Sequence, residues 1–198
     1  MAIVGCSYVK GGIYNNNQGT VTYSDQAVIA KLVRMNLTME DNENNDFRAD
    51  NEVDETDSNF SGGTYEINTN DLTDEMSALI LGLQTATLSS ISGISDVGVK
   101  EVIFDDRQNA PYMGIGNVVK HKRNGNYYYR AIVLTKIQFK IPEESWETQG
   151  KTISWQTPTI RATIMRDDTT YHTWKYTATF TTEAQAIAYI NARLPSAA

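Results

Sequence analysis

Two long segments of alternating apolar and polar residues flank the dipeptide Asn124-Gly125 and constrain the fold more than any other feature of the sequence. Asn-Gly supplies the two positive-φ residues that a tight type I′ turn requires. Residues 112–122 and 126–141 are therefore predicted to form a long β-hairpin. Within the second arm, residues 131–134 are apolar on both faces, whereas the residues beyond them alternate. We expect one end of this arm to be buried more deeply than the other.

Two further segments have the alternation of a strand with one solvated face. In residues 32–40, the apolar side chains predicted to share a face are Val33, Met35, Leu37 and Met39. In residues 173–180, they are Trp174, Tyr176, Ala178 and Phe180. Residues 159–165 also have strand character, and we expect them to form a second hairpin with residues 171–180 around Asp167-Asp168.

Capping signals predict two short helices. The first covers residues 74–81, with Thr73 or Asp71 as its N-cap and a glycine directly after it. The second covers about residues 183–194, where Thr182 opens a capping box and a proline ends the helix. Strands outnumber helices, so the sequence predicts a mainly β (α+β) fold.

The length of 198 residues fits a single domain, residues 1–198. Residues 40–63 are polar and lack a sustained period, which predicts a long projecting acidic loop with one short strand at residues 46–51. Residues 85–96 are rich in serine, threonine and glycine and are predicted to form a second loop. Long loops of this kind in a compact domain are usually functional or mobile.

The negative charge of the chain is concentrated in one segment. The net charge is −7, from 24 acidic and 17 basic residues. Residues 40–57 hold nine carboxylates and one cation, Arg48, for a charge of −8, and the remaining 16 basic and 15 acidic residues give +1. This distribution lacks the broad basic surface that tight nucleic-acid binding requires.

One basic run interrupts this pattern at the turn of the long hairpin. It comprises Lys120, His121, Lys122 and Arg123, and it is followed closely by Tyr127, Tyr128 and Tyr129. Tyrosines beside cations are one way to stack nucleic-acid bases. We favour a solvated hairpin tip beside a buried strand.

No group of residues assembles a catalytic, cofactor or metal site. Cys6 is the single cysteine and has no disulfide partner within the chain. His121 and His172 both fall beside hairpin turns and are predicted to be exposed. Asp46 stands where a calcium-binding loop beginning at Asp41 requires glycine. We therefore expect no enzyme activity, no cofactor and no metal.

The longest apolar stretch lies near residues 78–83 and is far shorter than the roughly 20 residues of a membrane-spanning helix. The first residues lack the basic start and the apolar run of a signal peptide. We expect synthesis in the cytoplasm and no membrane insertion.

Four motifs in the second half of the chain follow one another in a characteristic order and spacing: Ala110-Pro111-Tyr112-x-Gly114, Asn124-Gly125-Asn126-Tyr127, Pro142-Glu143-Glu144-x-Trp146-Glu147-Thr148-x-Gly150 and Gln156-Thr157-Pro158-Thr159. With them, the chain resembles the major tail protein, or tail tube protein, of bacteriophages with long non-contractile tails (siphovirus type). Phe47-Arg48-Ala49-Asp50-Asn51 and residues 5–14 are similar to that family too. The resemblance covers most of the chain and is weakest in residues 83–96 and after Tyr171.

This resemblance implies a β-sandwich flanked by a helix, in which one sheet of each subunit joins those of its neighbours in a continuous barrel. It implies homo-oligomeric hexameric rings that stack into a hollow tube around a tape-measure protein. Genomic DNA passes through the lumen without specific binding, and tail terminator and distal tail proteins are further partners. The implied location is the virion, after assembly in the cytoplasm of the bacterial host.

A projecting loop is suited to reaching an adjacent subunit or ring, and aromatic residues within it can anchor such a contact. The residues predicted to make subunit or ring contacts are Glu40, Asp41, Glu43, Asp46, Phe47, Arg48, Asp50 and Phe60.

Two alternative functions suit a similar fold. The first is another phage structural β-sandwich, such as a head decoration or distal tail protein. The second is a carbohydrate-binding or hydrolytic β-sandwich, with candidate acid and base residues among Asp105, Asp106, Glu143 and Glu144. Adjacent acids in turns are more often surface charge, which favours a structural role.

Overall fold

A computed structural model of the chain describes residues 2–41, 46–49, 52–56, 59–88, 98–143, 148 and 157–196. The strands in these parts are β1 (Ala2–Asn17), β2 (Thr20–Ala30), β3 (Leu32–Asp41), β4 (Asp46–Ala49), β5 (Glu52–Thr56), β6 (Phe60–Thr69), β7 (Gln84–Thr87), β8 (Lys100–Ile103), β9 (Tyr112–Arg123), β10 (Asn126–Phe139), β11 (Thr159–Met165) and β12 (Lys175–Phe180). The helices are α1 (Asp74–Leu81) and α2 (Glu183–Arg193).

A large antiparallel sheet dominates the fold. Its strand order is β2-β1-β9-β10-β11-β6-β3, and β12 also pairs with β10. Two small hairpins, β4–β5 and β7–β8, lie outside this sheet. The end strand β3 returns against β1, so the sheet is curled. The prediction of a mainly β fold with short flanking helices is confirmed.

The hairpin of β9 and β10 is buried on both faces. Inside the curl, Ile115 and Leu134 belong to a core that also contains apolar residues of β1, β6, β11 and α1. On the opposite face, Val118 and Val133 pack against α2. This arrangement explains why residues 131–134 are apolar on both faces. The predicted turn is also confirmed, since Asn124 and Gly125 have φ angles of 48° and 83°.

Both predicted helices are confirmed. The Thr73 side chain accepts a hydrogen bond from the Met76 N–H (3.4 Å) at the start of α1, and Gly82 ends the helix in the left-handed conformation with φ 64°. At the start of α2, Thr182 accepts from the Gln185 N–H (3.4 Å). The caps thus form where the sequence places them.

The predicted hairpin between residues 159–165 and 171–180 is wrong. β11 and β12 both pair with β10 rather than with each other, β11 opposite Lys136 to Phe139 and β12 opposite Tyr129 to Leu134. They therefore follow one another along the same edge of β10. Residues 166–174 connect β11 to β12 without pairing with β10 along most of their length, and we call this connection the 166–174 excursion. The Asp167 N–H closes its base by donating to the Thr173 carbonyl (3.0 Å).

The prediction that Val33 shares a face with Met35 is wrong. A β-bulge between Leu32 and Arg34 shifts the register against β6, and Val33 is 55% exposed. The bulge reverses the alternation at one residue, which the repeating pattern of side chains cannot reveal.

The predicted acidic loop is largely built from strands. β3 continues to Asp41 and β6 begins at Phe60, and between them β4 pairs with β5. Backbone pairing does not require apolar side chains, so a polar sequence hides these strands from periodicity analysis. The predicted loop at residues 85–96 likewise begins within β7, which pairs with β8. Residues 42–45, 50–51, 57–58 and 89–97 lie outside the described residues.

Candidate assembly surfaces

β12 presents a free backbone edge. The Thr135 N–H donates to the Trp174 carbonyl (3.3 Å), which makes this the hydrogen-bonded type of antiparallel pair. Because such pairs alternate along the ladder, Lys175, Thr177 and Thr179 direct their backbone N–H and C=O groups away from β10. No described strand pairs with that side of β12. An edge of this kind is a template for a strand from another chain.

The 166–174 excursion is held firmly at its base. The Tyr14 hydroxyl donates to the Asp168 carboxylate (2.9 Å) and accepts from the Asp168 N–H (3.0 Å). Lys136 Nζ donates to the same carboxylate (2.8 Å). Burial, together with the adjacent Asp168, raises the pKa of Tyr14 to about 12, so its hydroxyl keeps its proton at neutral pH. These contacts join the excursion to β1 and β10.

Tyr171 stands at the outer end of this rigid excursion and is 91% exposed. The neighbouring Asp167 is buried, and its carboxylate accepts from the Thr169 N–H (3.2 Å) and hydroxyl (2.6 Å). A large exposed aromatic ring on a fixed support is typical of an interface anchor. Sequence patterns did not single out Tyr171, because an aromatic residue beside a strand predicts burial.

Phe60, one of the predicted contact residues, is engaged within its own chain. Its ring stacks on Trp174 with a centroid distance of 4.2 Å and an interplanar angle of 7°. The Arg166 guanidinium donates to the Phe60 carbonyl. The start of β6 is thus tied to the 166–174 excursion just before β12 begins.

Glu40 and Asp41 lie with Phe60 at the end of the β3–β6 hairpin. Glu40 is opposite Gly62, and Asp41 is opposite Phe60. Three more predicted contact residues belong to β4, opposite β5: Asp46, Phe47 and Arg48. Glu43 and Asp50 lie outside the described residues. The predicted contact residues that the structure describes therefore lie on two hairpins, β3–β6 and β4–β5.

The turn of the β9–β10 hairpin carries a second polar surface. Lys120 Nζ lies 4.3 Å from the ring centroid of Tyr127, and Lys122 Nζ lies 5.5 Å from the same centroid. Register places Tyr127 directly opposite Lys122. With Arg123, these residues form a basic surface, which we call the basic tip, defined by Lys120, Lys122 and Arg123. Lys122 and Arg123 are exposed, in agreement with a solvated tip.

His121 is not exposed, in contrast to the prediction. Only 4% of its surface is accessible, and neither ring nitrogen has a hydrogen-bond partner among the described residues. Burial, and then the positive charge of Arg130, lower the pKa of His121. The alternation of β9 explains the difference, because His121 turns to the opposite face from Lys120 and Lys122.

The described residues contain no group of three or more histidine, cysteine or carboxylate side chains placed to hold a metal ion. Of the candidate hydrolase carboxylates, Asp105 is bound by Arg107 Nε (2.9 Å), and Glu143 lies 3.6 Å from Arg161. In the same parts of the chain, neither helix has the length and apolar character needed to cross a membrane.

No protein-family model matches the chain, and a search of the curated proteins finds no match.

Proposed function

We propose that the chain is a structural virion protein, the tail tube protein of a phage with a long non-contractile tail. It self-assembles into hexameric rings that stack around a tape-measure protein. The resulting tube is the conduit through which genomic DNA reaches the host, and tail terminator and distal tail proteins are further partners. In this proposal the protein is not an enzyme and needs no cofactor.

The free edge of β12 is the observation that carries this proposal. A sheet that leaves such an edge unpaired in an isolated chain exposes backbone groups that a neighbouring copy can satisfy. When each copy offers the same edge to a different surface of the next, repetition gives a ring if the rotation between neighbours closes. The resemblance supports the same proposal, and three of its four motifs lead into β9, form its turn with β10 and lead into β11.

Negative-stain electron microscopy across a concentration series tests this proposal, with Thr177→Pro as the informative variant. Thr177 is exposed and directs its N–H away from β10, so proline removes an outward donor and leaves the β10–β12 ladder intact. Thr177→Ala is the matched control, because it keeps the N–H. We expect rings or hollow tubes of uniform width from the native protein and the alanine variant, and only small particles from the proline variant.

The proposal fails if the native protein stays monomeric even when tail initiator proteins are added. Equal assembly of the proline and alanine variants would show that β12 is not the edge that joins neighbouring copies. Far-ultraviolet circular dichroism of all three proteins shows whether the proline variant is folded before the comparison is made.

A further inference from the structure

A groove lies on the outer face of the sheet, over strands β3, β6 and β11. Gly62 and Thr64 of β6 alternate with Gly63 and Tyr65, and Tyr65 belongs to the core inside the curl. Gly62 and Thr64 therefore face outward, with Glu40 of β3 opposite Gly62. The groove has a volume of about 710 Å³. We call it the Gly62 groove, and it is defined by Glu40, Gly62, Thr64, Lys140, Thr163 and Arg166.

The fold itself does not require glycine at position 62. A Cβ atom added there would lie 3.8 Å from Glu40 Oε2 and 3.9 Å from the Ile164 carbonyl oxygen, which are ordinary van der Waals distances. The φ angle of Gly62 is not positive either. Gly63 differs, because a Cβ at that position would collide with the Thr38 carbonyl oxygen. Glycine weakens the interior of a strand and often marks the close approach of a ligand or another chain. What Gly62 provides is therefore an open groove floor.

The rim of the Gly62 groove suits a tyrosine side chain. The Arg166 guanidinium lies 6.0 Å from the ring centroid of Phe60 and donates to the Phe60 carbonyl, which holds it in place. Lys140 is a second cation of the groove and is exposed. Cations attract the face of an electron-rich ring. The Glu40 carboxylate can accept a hydrogen bond from a phenol hydroxyl. An aliphatic side chain would use neither group.

Tyr171 has the exposure and the support that an occupant needs. It is 91% exposed. The turn that carries it is closed by the His172 N–H, which donates to the Thr169 carbonyl (3.0 Å). His172 Nδ1 also lies 3.1 Å from the Asp167 carbonyl oxygen. A ring on such a support loses little conformational freedom when it binds.

Tyr171 and the Gly62 groove belong to one surface. Tyr171 lines a smaller recess of about 350 Å³, which shares Phe60 and Arg166 with the groove. Because the ring is almost fully exposed, it does not occupy the groove of its own copy. A surface that carries both a projecting ring and a recess for a ring is complementary to itself. Two copies can bring such surfaces together about a twofold axis.

We propose that Tyr171 of one copy occupies the Gly62 groove of a second copy, and that the contact is reciprocal. Two tyrosine side chains together bury about 300–500 Å². We therefore expect a weak, reversible pair rather than an obligate dimer. This inference goes beyond the proposed function, because the pair needs neither the free edge of β12 nor a tube. A reciprocal contact closes on itself, whereas pairing through the β12 edge propagates.

Sedimentation velocity of the Thr177→Pro variant tests the pair, because this variant is expected not to join through β12. We expect a concentration-dependent dimer. Adding Tyr171→Ala removes the ring and adding Gly62→Val fills the groove floor, so each should weaken dimerisation at least about tenfold. An equal mixture of these two should recover part of the association, since one copy offers the ring and the other the open groove. Gly5→Val is the matched control, because a Cβ at Gly5 meets no atom within 4 Å and lies outside the groove.

Photo-cross-linking locates the contact, with p-benzoylphenylalanine placed at position 171. In an equal mixture of ¹⁴N- and ¹⁵N-labelled protein, we expect mass spectrometry to find mixed-isotope links from position 171 to residues 60–64 or 163–166. Links of a single isotope only, which come from within one copy, overturn the proposal. Links to another surface of the second copy, or only to added tail initiator proteins, overturn it as well.

The outcomes separate this pair from the proposed function. Tubes from the native protein, together with a monomeric Thr177→Pro variant, overturn the pair and leave the tail tube function standing. A dimer that depends on Tyr171 and Gly62, without rings or tubes from the native protein, supports the pair and counts against the tube. A dimer that neither substitution weakens, or a mixture without recovery, overturns the pair. Far-ultraviolet circular dichroism shows whether each variant is folded, and Tyr171→Ala with the cross-links decides the matter if Gly62→Val is not.

Discussion

At the scale of single residues, His121 shows how a strand turns adjacent side chains to different surroundings. Its neighbours Lys120 and Lys122 lie on the outer face beside Tyr127, whereas His121 shares the inner face with Asn117. Asn117 accepts a hydrogen bond from the Tyr65 hydroxyl (2.8 Å) and is itself buried. A neutral imidazole suits this buried position, with Arg130 nearby, better than a charged one.

The lowered pKa of His121 predicts a pH dependence of stability. The unfolded chain takes up a proton on His121 below its ordinary pKa of 6.5, and the folded chain resists this down to a lower pH. The free energy of unfolding should thus be independent of this group above about pH 6.5 and decrease as the pH falls below it. Urea unfolding between about pH 7.5 and pH 5 measures the decrease.

His121→Gln should remove most of this decrease, while His172→Gln, at an exposed position, should keep it. Asp168 affects stability in a separate, more acidic pH range. Hydrogen bonds from Lys136 and Tyr14 lower the pKa of Asp168 from 3.8, so its contribution is present above that pH and is lost only at more acidic values. An unchanged decrease in the His121 variant would contradict the assignment.

At the scale of elements, the docking of α2 depends on glycines in β9. A Cβ atom added at Gly116 would collide with Ile190 of α2, and one added at Gly114 would collide with Tyr23 and Leu194. Ile190 and Leu194 are buried in the core between α2 and the sheet. Glycine inside a strand often marks such a close approach. The helix therefore lies closer to β9 than any larger residue would permit.

Gly116→Ala should lower the free energy of unfolding by about 1–3 kcal/mol, because the added methyl group overpacks against Ile190. Chemical denaturation measures this change. Gly5→Ala is the control, since a Cβ at Gly5 meets no atom within 4 Å, and it should change stability by less than about 0.5 kcal/mol.

A double-mutant cycle with Ile190→Ala sharpens this test. Removing the Ile190 side chain makes room for the new methyl group, so the double variant should lose less stability than the two single changes together. Additive losses would show that the contact with Ile190 is not the cause.

At the scale of the whole molecule, two cores share one hairpin. Residues of β9 and β10 take part both in the core inside the curled sheet and in the core beneath α2. The outer strands β2 and β12 have fewer buried residues than β9 and β10. One backbone edge of β12 pairs with no described strand. Burial on both faces makes the centre of this hairpin the region whose opening exposes the most apolar surface.

Native-state hydrogen exchange should show this gradient. We expect the slowest amides in residues 115–119 and 131–134, because opening them disrupts both cores. The outward amides of Thr177 and Thr179 should exchange rapidly in the unassembled protein and become protected in tubes. Uniform protection across the sheet would contradict the two-core description.

Local chemistry determined much of this protein from the sequence alone. Asn124-Gly125 fixed the central hairpin, because few dipeptides accept two positive φ angles. Thr73 and Thr182 set the starts of both helices, since their hydroxyls satisfy free backbone N–H groups within three residues. The apolar faces of residues 131–134 predicted deep burial. Each of these signals lies within a few positions of the structure that it specifies.

Contacts between distant residues decided the rest. β11 and β12 are neighbours in sequence, yet the free side of β10 gives both of them a partner, so they do not form a hairpin. His121 is buried although it stands in a basic run beside a turn. The close packing of α2 on Gly116 joins residues more than seventy positions apart. The free edge of β12 likewise depends on the pairing of the whole sheet, in which β12 pairs with β10 and with no other described strand. Such features follow from how the sheet curls and pairs, which no local pattern of side chains records.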